Sequence, residues 1–342
     1  MRRPALGGVL AWGGLIVSLV FIYFAFRGIH FGDIRRALAR SNFWFLVPAL
    51  AVLAVAIIVR AVRWRILFPP EWRPPIAKVT NALLIGYLFN SIFPARGGEA
   101  VRVLTLNQRA GTPKFVGLGT VVAERAIDVL VLLGLLFVVA PVLPSVGWMP
   151  RALALGGVVF LVTAALFGAF AWYGERPARI MLRPLSFLPA MSRERTDLAA
   201  TNLVRGFAVF RRAAIAVPAL ALTTASWALI ALAFWICMEG FHLGVGFSAA
   251  ILVVVSVNLA MILPSGPAAI GVFEAATLVA LVPFDVDRST ALSYALVLHA
   301  LNVLPFILVG YFALQSHTLA VRRARASAAD LGASRERAAT PG

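Results

Sequence analysis

From Leu6 to Phe26 the chain carries no charged residue, and a helix of that length crosses the ~30 Å hydrocarbon core of a bilayer. This run is too long for a signal-peptide core and no small-x-small cleavage site follows, so it reads as a retained first span. The pattern recurs. Phe43-Trp44-Phe45 reads as an interfacial belt opening a second span to about Ile58, which Arg60, Arg63, Trp64 and Arg65 close. Residues 115–142, 152–172, 213–238 and 289–314 are further full spans. With 61% hydrophobic and 13% charged residues, a water-soluble fold is excluded, because its surface would itself be apolar.

Charge then sets the orientation. Lys+Arg number 31 against 14 Asp+Glu, a net charge of +17, and only Lys78 and Lys114 are lysines. The arginines cluster in the gaps between apolar runs, the placement of loops facing anionic headgroups rather than nucleic acid. Gaps 60–79, 95–114 and 174–212 and the end 315–342 are basic and predicted cytoplasmic, as are both termini. Gaps 141–151, 239–247 and 283–288 are poor in Arg and predicted external. Gap 27–42 falls outside by parity despite four arginines, which an interfacial helix would tolerate. The single Cys237 excludes an internal disulfide, and the four histidines show no metal-binding spacing, so neither metal nor cofactor is expected.

Three apolar segments are too short to span. Residues 81–93 stop at Pro94-Ala95-Arg96-Gly97-Gly98; 248–263 end at Pro264-Ser265-Gly266-Pro267; 268–282 contain Glu274. Parity makes 81–93 a re-entrant hairpin from the cytoplasmic side and the 248–263/268–282 pair its counterpart from the other. Both breaks read alike: Asn90, Pro94, Gly97-Gly98, Glu99; then Asn258, Pro264, Gly266, Gly271, Glu274. Gly/Pro-broken short segments in two halves point to a midplane binding site in an inverted-repeat transporter, although two ordinary short helices would give a similar pattern. The fold class is therefore an all-α polytopic membrane protein with about six full spans and two oppositely oriented re-entrant hairpins. The membrane domain covers 1–316, and 317–342 is read as a disordered basic tail.

Three blocks resemble the lysylphosphatidylglycerol synthase transmembrane (flippase-like) family: 81–102, Ala123-Glu124-Arg125-Ala126-Ile127-Asp128, and 263–274. Pro267-Ala268-Ala269 stands where that family usually has part of a Gly-Gly-x-Gly-like stretch. The resemblance implies a membrane domain with two re-entrant hairpins that moves lipid between leaflets. Some members fuse it to a cytosolic aminoacyl transferase, for which no room follows Leu314, so synthase activity is not expected.

Within the span 115–142, Glu124, Arg125 and Asp128 must face the interior and be paired, because each charge at the bilayer centre costs about 2.5–3.5 kcal/mol. Arg125 could grip a lipid phosphate while the two acids carry protons or tune it; a structural Arg–Asp pair is the alternative. Arg96, Gly97, Gly98, Glu99 and Arg102 form a glycine break with arginine, suited to an anion, or a loop charged for topology alone. Glu274 near Gly271 is a proton carrier or headgroup ligand. Asn90, Asn258, His299 and Asn302 are weaker candidates, since polar groups in spans often only hydrogen-bond between helices. The expected function is a non-enzymatic lipid flippase-like protein of the bacterial cytoplasmic (inner) membrane. Its cargo would be a phospholipid, a polyprenyl-phosphate sugar or a hopanoid, and its partners a lipid-synthesising enzyme or a second copy. A lipid-modifying transferase and a non-transporting scaffold are the alternatives; a transferase lacks a nucleophile motif.

Overall fold

This computed structural model describes residues 6–93, 97–173, 201, 212–263 and 265–339. Helix α1 is Leu6–Phe26, α2 Phe31–Arg40, α3 Leu46–Ile66, α4 Ile76–Ile92, α5 Gly98–Ala110, α6 Lys114–Val139 and α7 Met149–Tyr173. Then follow α8 Ala213–Gly240, α9 Phe247–Ala260, α10 Val272–Leu281 and α11 Arg288–Ala339. Among the described residues no strand occurs. Among the described residues six helical stretches are long and apolar enough to cross a membrane, and a seventh if α1 and α2, bent by 76°, are taken together; one of the six is Pro267–Phe284, where short 3-10 turns at both ends lengthen a segment that the sequence alone made too short to span. The chain is an all-α polytopic membrane protein.

Short helix α2 explains the arginines of gap 27–42. Ile34 is buried and Leu38 packs inward, against Leu292 of α11, while Arg35, Arg36 and Arg40 lie exposed on the opposite side. This is an amphipathic helix with its charges on one stripe.

Two sequence expectations need correction. The second span does not end near Ile58: α3 runs to Ile66, and Arg60 and Arg63 sit inside it. Residues 95–114 are not simply a loop either, because α5 folds back along α4. The open ends of that hairpin meet where Lys78 Nζ donates to the Arg109 carbonyl at 2.7 Å. Helix α4 stops because Phe93, extended at φ −90° and ψ 137°, precedes Pro94, which disfavours helical backbone at the residue before it. The arms approach so closely that a Cβ on Gly98 would stand 2.0 Å from the Gly86 carbonyl oxygen and 2.7 Å from the Asn90 amide nitrogen. Small residues are what permit such contact between membrane helices.

Helices α9 and α10 form the second hairpin. Its break holds Ala268 at φ 55° and Ala269 at φ 57°, both left-handed, before Gly271 at φ 87° opens α10. Gly271 is dictated twice: its φ disfavours a side chain, and a Cβ would meet the Ser18 carbonyl of α1 at 2.5 Å. Helix α8 lies along α3, and α11 lies along α4. The largest core joins buried residues of α3, α6, α8, α9, α10 and α11, including Leu53, Leu133, Phe234 and Leu252. The backbone of α11 continues helically through the basic segment after residue 316 to Ala339, where Ala and Arg, both strong helix formers, predominate. The amphipathic stretch expected around 198–210 lies outside the described residues.

Candidate functional site

Four helices meet around the acids of α6. Arg63 of α3, with no exposed side-chain surface, donates from Nη2 to Glu124 Oε1 and from Nη1 to Asp128 Oδ1, both at 2.5 Å. Its Nη1 also reaches the Thr223 hydroxyl of α8 at 3.2 Å. Arg102 of α5 donates to Glu124 Oε2 at 2.7 Å. Trp227 of α8 donates its indole N–H to Asp128 Oδ1 at 3.0 Å. Arg125 stands 3.1 Å from Asp128 Oδ2 and 3.4 Å from both Glu99 Oε1 and Glu124 Oε1. Buried charges survive only when paired and hydrogen-bonded, and here the two buried acids have three arginines around them. The expected Arg125–Asp128 pair is present, as part of a larger lattice.

One turn before Arg63, Arg60 stacks over the Trp227 ring at 4.3 Å and donates to the Tyr87 hydroxyl at 3.3 Å. Cation–π contact of this kind stabilises a half-buried guanidinium.

The lattice forms one wall of a cavity of about 690 Å³ between the two hairpin tips, within the range of small-molecule sites. Asn90 and Phe93 come from the first tip, and Asn258, Ser265, Gly266 and Ala268 from the second. His299 and Asn302 of α11 line it as well. Apolar side chains such as Leu53, Val257, Phe273 and Phe306 complete the lining. The result is a charged wall facing a largely greasy chamber, suited to a molecule with an ionic head and an apolar body.

The second tip is held by a relay. Gly271 N–H donates to Glu274 Oε2 at 2.7 Å, and Glu274 Oε1 lies 2.6 Å from His299 Nδ1. His299 Nε2 lies 2.9 Å from the Ala268 carbonyl. A carbonyl only accepts, so Nε2 carries a hydrogen, and the Nδ1···Oε1 contact then holds one proton between ring and carboxyl. The imidazole also stacks on Phe273, with centroids 4.4 Å apart.

Of the residues singled out in the sequence, Asn90, Glu99, Arg102, Arg125 and Asn258 line the cavity and Asp128 reaches it. Glu124 sits behind that wall, between Arg63 and Arg102. Gly97, Gly98 and Gly271 do not line it: Gly98 and Gly271 serve close packing, and Gly97 abuts Phe93. Glu274 reaches the cavity through His299. Arg96 lies outside the described residues. Sequence reasoning missed Arg60, Arg63 and Trp227. The available signal was the imbalance within 115–142, where two acids and one arginine require a further cation from another helix. Among the described residues no cluster of His, Cys, Asp and Glu could hold a metal ion.

Residues 11–310 match the model of a family described as the lysylphosphatidylglycerol synthase TM region. A UPF0104 membrane protein of Methanothermobacter thermautotrophicus (strain Delta H) matches at 25% identity over 275 residues, 77% of this chain and 80% of that protein. A match of the same description and organism runs at 31% over 115 residues, 33% of this chain and 32% of that protein. Glycosyltransferase AglD of Haloferax volcanii is 35% identical over 106 residues, 29% of this chain and 17% of that enzyme.

Proposed function

We propose, from the premise that this chain belongs to the lysylphosphatidylglycerol synthase TM-region family, that it moves a lipid between leaflets by passing the headgroup through the cavity between its hairpins. The observation that carries this reading is the cavity itself: about 690 Å³, with arginines and carboxylates on one wall and apolar side chains around the rest. Irregular backbone at membrane depth is tolerated where it lines such a chamber. Parting of the two hairpin tips, first on one side and then on the other, would expose it alternately, the logic of repeat-built transporters. The Glu274–His299 relay at the second tip is suited to exchanging a proton during that cycle.

The chain is in this reading a transporter and not an enzyme, carrying an anionic or amphiphilic lipid such as a phospholipid, a polyprenyl-phosphate sugar or a hopanoid. Glycosyltransferase AglD bears its name as a whole protein, of which the match covers 17%. We place the chain in the cytoplasmic membrane, a compartment bacteria and archaea share, with both termini inside, on the strength of its basic gaps. A lipid-synthesising enzyme is the expected supplier of cargo.

The test is leaflet exposure of labelled lipid in vesicles reconstituted with the full chain. Movement of unchanged lipid, absent from protein-free vesicles, supports transport. Chemical turnover of the label would assign a transferase instead, and neither movement nor turnover would leave a scaffold.

A further inference from the structure

Three hydrogen bonds run in series through the break of the second hairpin, and each holds one hydrogen. Gly271 N–H donates to Glu274 Oε2 at 2.7 Å, Glu274 Oε1 shares a proton with His299 Nδ1 at 2.6 Å, and His299 Nε2 donates to the Ala268 carbonyl at 2.9 Å. This series begins and ends on the positive-φ backbone of the tip, at Gly271 (φ 87°) and Ala268 (φ 55°). Both side chains are buried, Glu274 at 4% and His299 at 7% exposure. Without the shared proton, the bare Nδ1 lone pair would face a carboxylate: two acceptors with no hydrogen between them, and a buried charge without its partner. The closed tip therefore requires that proton. Once the ring parts from Glu274 and meets water, the requirement ends. An imidazole in water titrates near about 6.5 and gives up its second hydrogen above that pH.

We infer that the Glu274–His299 pair is a proton-operated latch: closing the second tip takes up one proton from water, and parting it returns that proton. Above about pH 6.5 the parted tip binds fewer protons than the closed one, so closure weakens as pH rises and is stronger towards acid. The elements packed on α10 and on its break supply no competing titration near neutral pH. Helix α9 carries no titratable group, α1 carries Tyr23, α4 carries Lys78 and Tyr87, and α11 up to Ser316 adds Arg288, Tyr294 and Tyr311. The cavity that His299 lines also holds Arg60, Glu99, Arg102, Arg125 and Asp128. Those arginines stay charged, and the two acids lie beside Arg63 and Arg125, so the wall biases the latch by a fixed amount. The latch deepens the transport reading, which it needs only to connect a parted tip with lipid movement.

The experiment is hydrogen exchange of the detergent-purified full chain at about pH 5.5 to 8.5, read by mass spectrometry on peptides spanning 265–273 and divided by the intrinsic exchange rate at each pH. Peptides from 120–130, within the arginine lattice, report any general loosening. In wild type, protection of the second tip should fall by up to about tenfold per pH unit above about pH 6.5 while 120–130 holds steady, a comparison that needs no variant. Glu274→Gln should reverse the sign. Its amide donates to a neutral His299 Nδ1, so the tip closes without a shared proton; a proton arriving on Nδ1 in acid would face that amide and loosen the tip. His299→Gln, with no titrating ring, should lose both trends. Wild-type protection of 265–273 that stays level or rises with pH, or an unchanged fall in folded Glu274→Gln, would overturn the latch. A parallel fall at 120–130 would do so too, because the whole fold would then be loosening. A pH-dependent tip in a protein that moves no lipid would sink transport and leave the latch standing; lipid movement with a pH-indifferent tip would do the reverse.

Discussion

Arg63 and Glu124, 61 positions apart, meet at 2.5 Å with side chains 0% and 2% exposed. A contact so distant in sequence and so deeply enclosed fixes α3 against α6, and its loss has no solvent to soften it.

Replacing Arg63 with Met should therefore destabilise the protein by about 3–5 kcal/mol, because two acids remain enclosed with fewer partners. Thermal unfolding in detergent would register this as a large drop in Tm. Arg125→Lys, at a side chain 34% exposed, should keep the fold and lose transport, since lysine keeps charge but not the planar fork. A small Tm change for Arg63→Met would refute the structural weight given to it.

Glu274→Gln should insert and purify normally yet transport poorly. The amide oxygen can still accept from Gly271 N–H and the amide nitrogen can donate to His299 Nδ1, so both bonds seen at the second tip survive. Only the exchangeable proton is gone. Full transport by this variant in vesicles would assign Glu274 to capping α10.

Gly98→Ala should sharply lower the yield of folded protein, because the added methyl would lie 2.0 Å from the Gly86 carbonyl oxygen. Gly134→Ala, where nothing stands within 4 Å, should be neutral or stabilise α6 by up to about 1 kcal/mol. Comparing the two by size-exclusion profile and Tm separates packing from general intolerance of substitution.

Opposite signs are expected at the second break. Ala268→Gly and Ala269→Gly relieve left-handed backbone at φ 55° and 57°, a strain of about 1–2 kcal/mol each, partly offset by the freedom glycine brings to the unfolded chain. Each should leave Tm unchanged or raise it. Gly271→Ala meets both φ 87° and the Ser18 carbonyl and should lower it.

Topology can be read with cysteines, because the native Cys237 is buried. Cysteines at Ala77 and Lys114 flank the first hairpin and should label from the same side, that side being the interior. Ser145 should label from outside. Reaction of positions 77 and 114 from opposite sides would convert the hairpin into a span and remove the basis of the transport reading.

The broken segments were legible because proline and glycine interrupt apolar runs at 94–98 and 264–271, and local chemistry of that kind survives in a linear string. The return arm α5 was not, since Arg102 and Arg109 made a packed helix look like a basic loop. Arg60 and Arg63 were misplaced for the same reason. Arginine at the end of an apolar run normally marks the interface, and partners far along the chain, among them Tyr87, Glu124, Asp128 and Trp227, explain why these two belong inside. Left-handed Ala268 and Ala269 gave no warning, because alanine has no preference for such backbone.

The contacts of Asp128 have a mechanical consequence. Through Oδ1 it ties Arg63 of α3 to Trp227 of α8, while Glu124 one turn earlier ties α3 to α5 through Arg102. Those four helices are cross-braced and can tilt only as a chassis. Among the described residues the second tip is fastened without arginine: Gly266 N–H to Ser18, Gly271 N–H to Glu274, and His299 to Glu274 and Ala268. In an alternating cycle the second tip should therefore part from the arginine frame more readily than that frame comes apart.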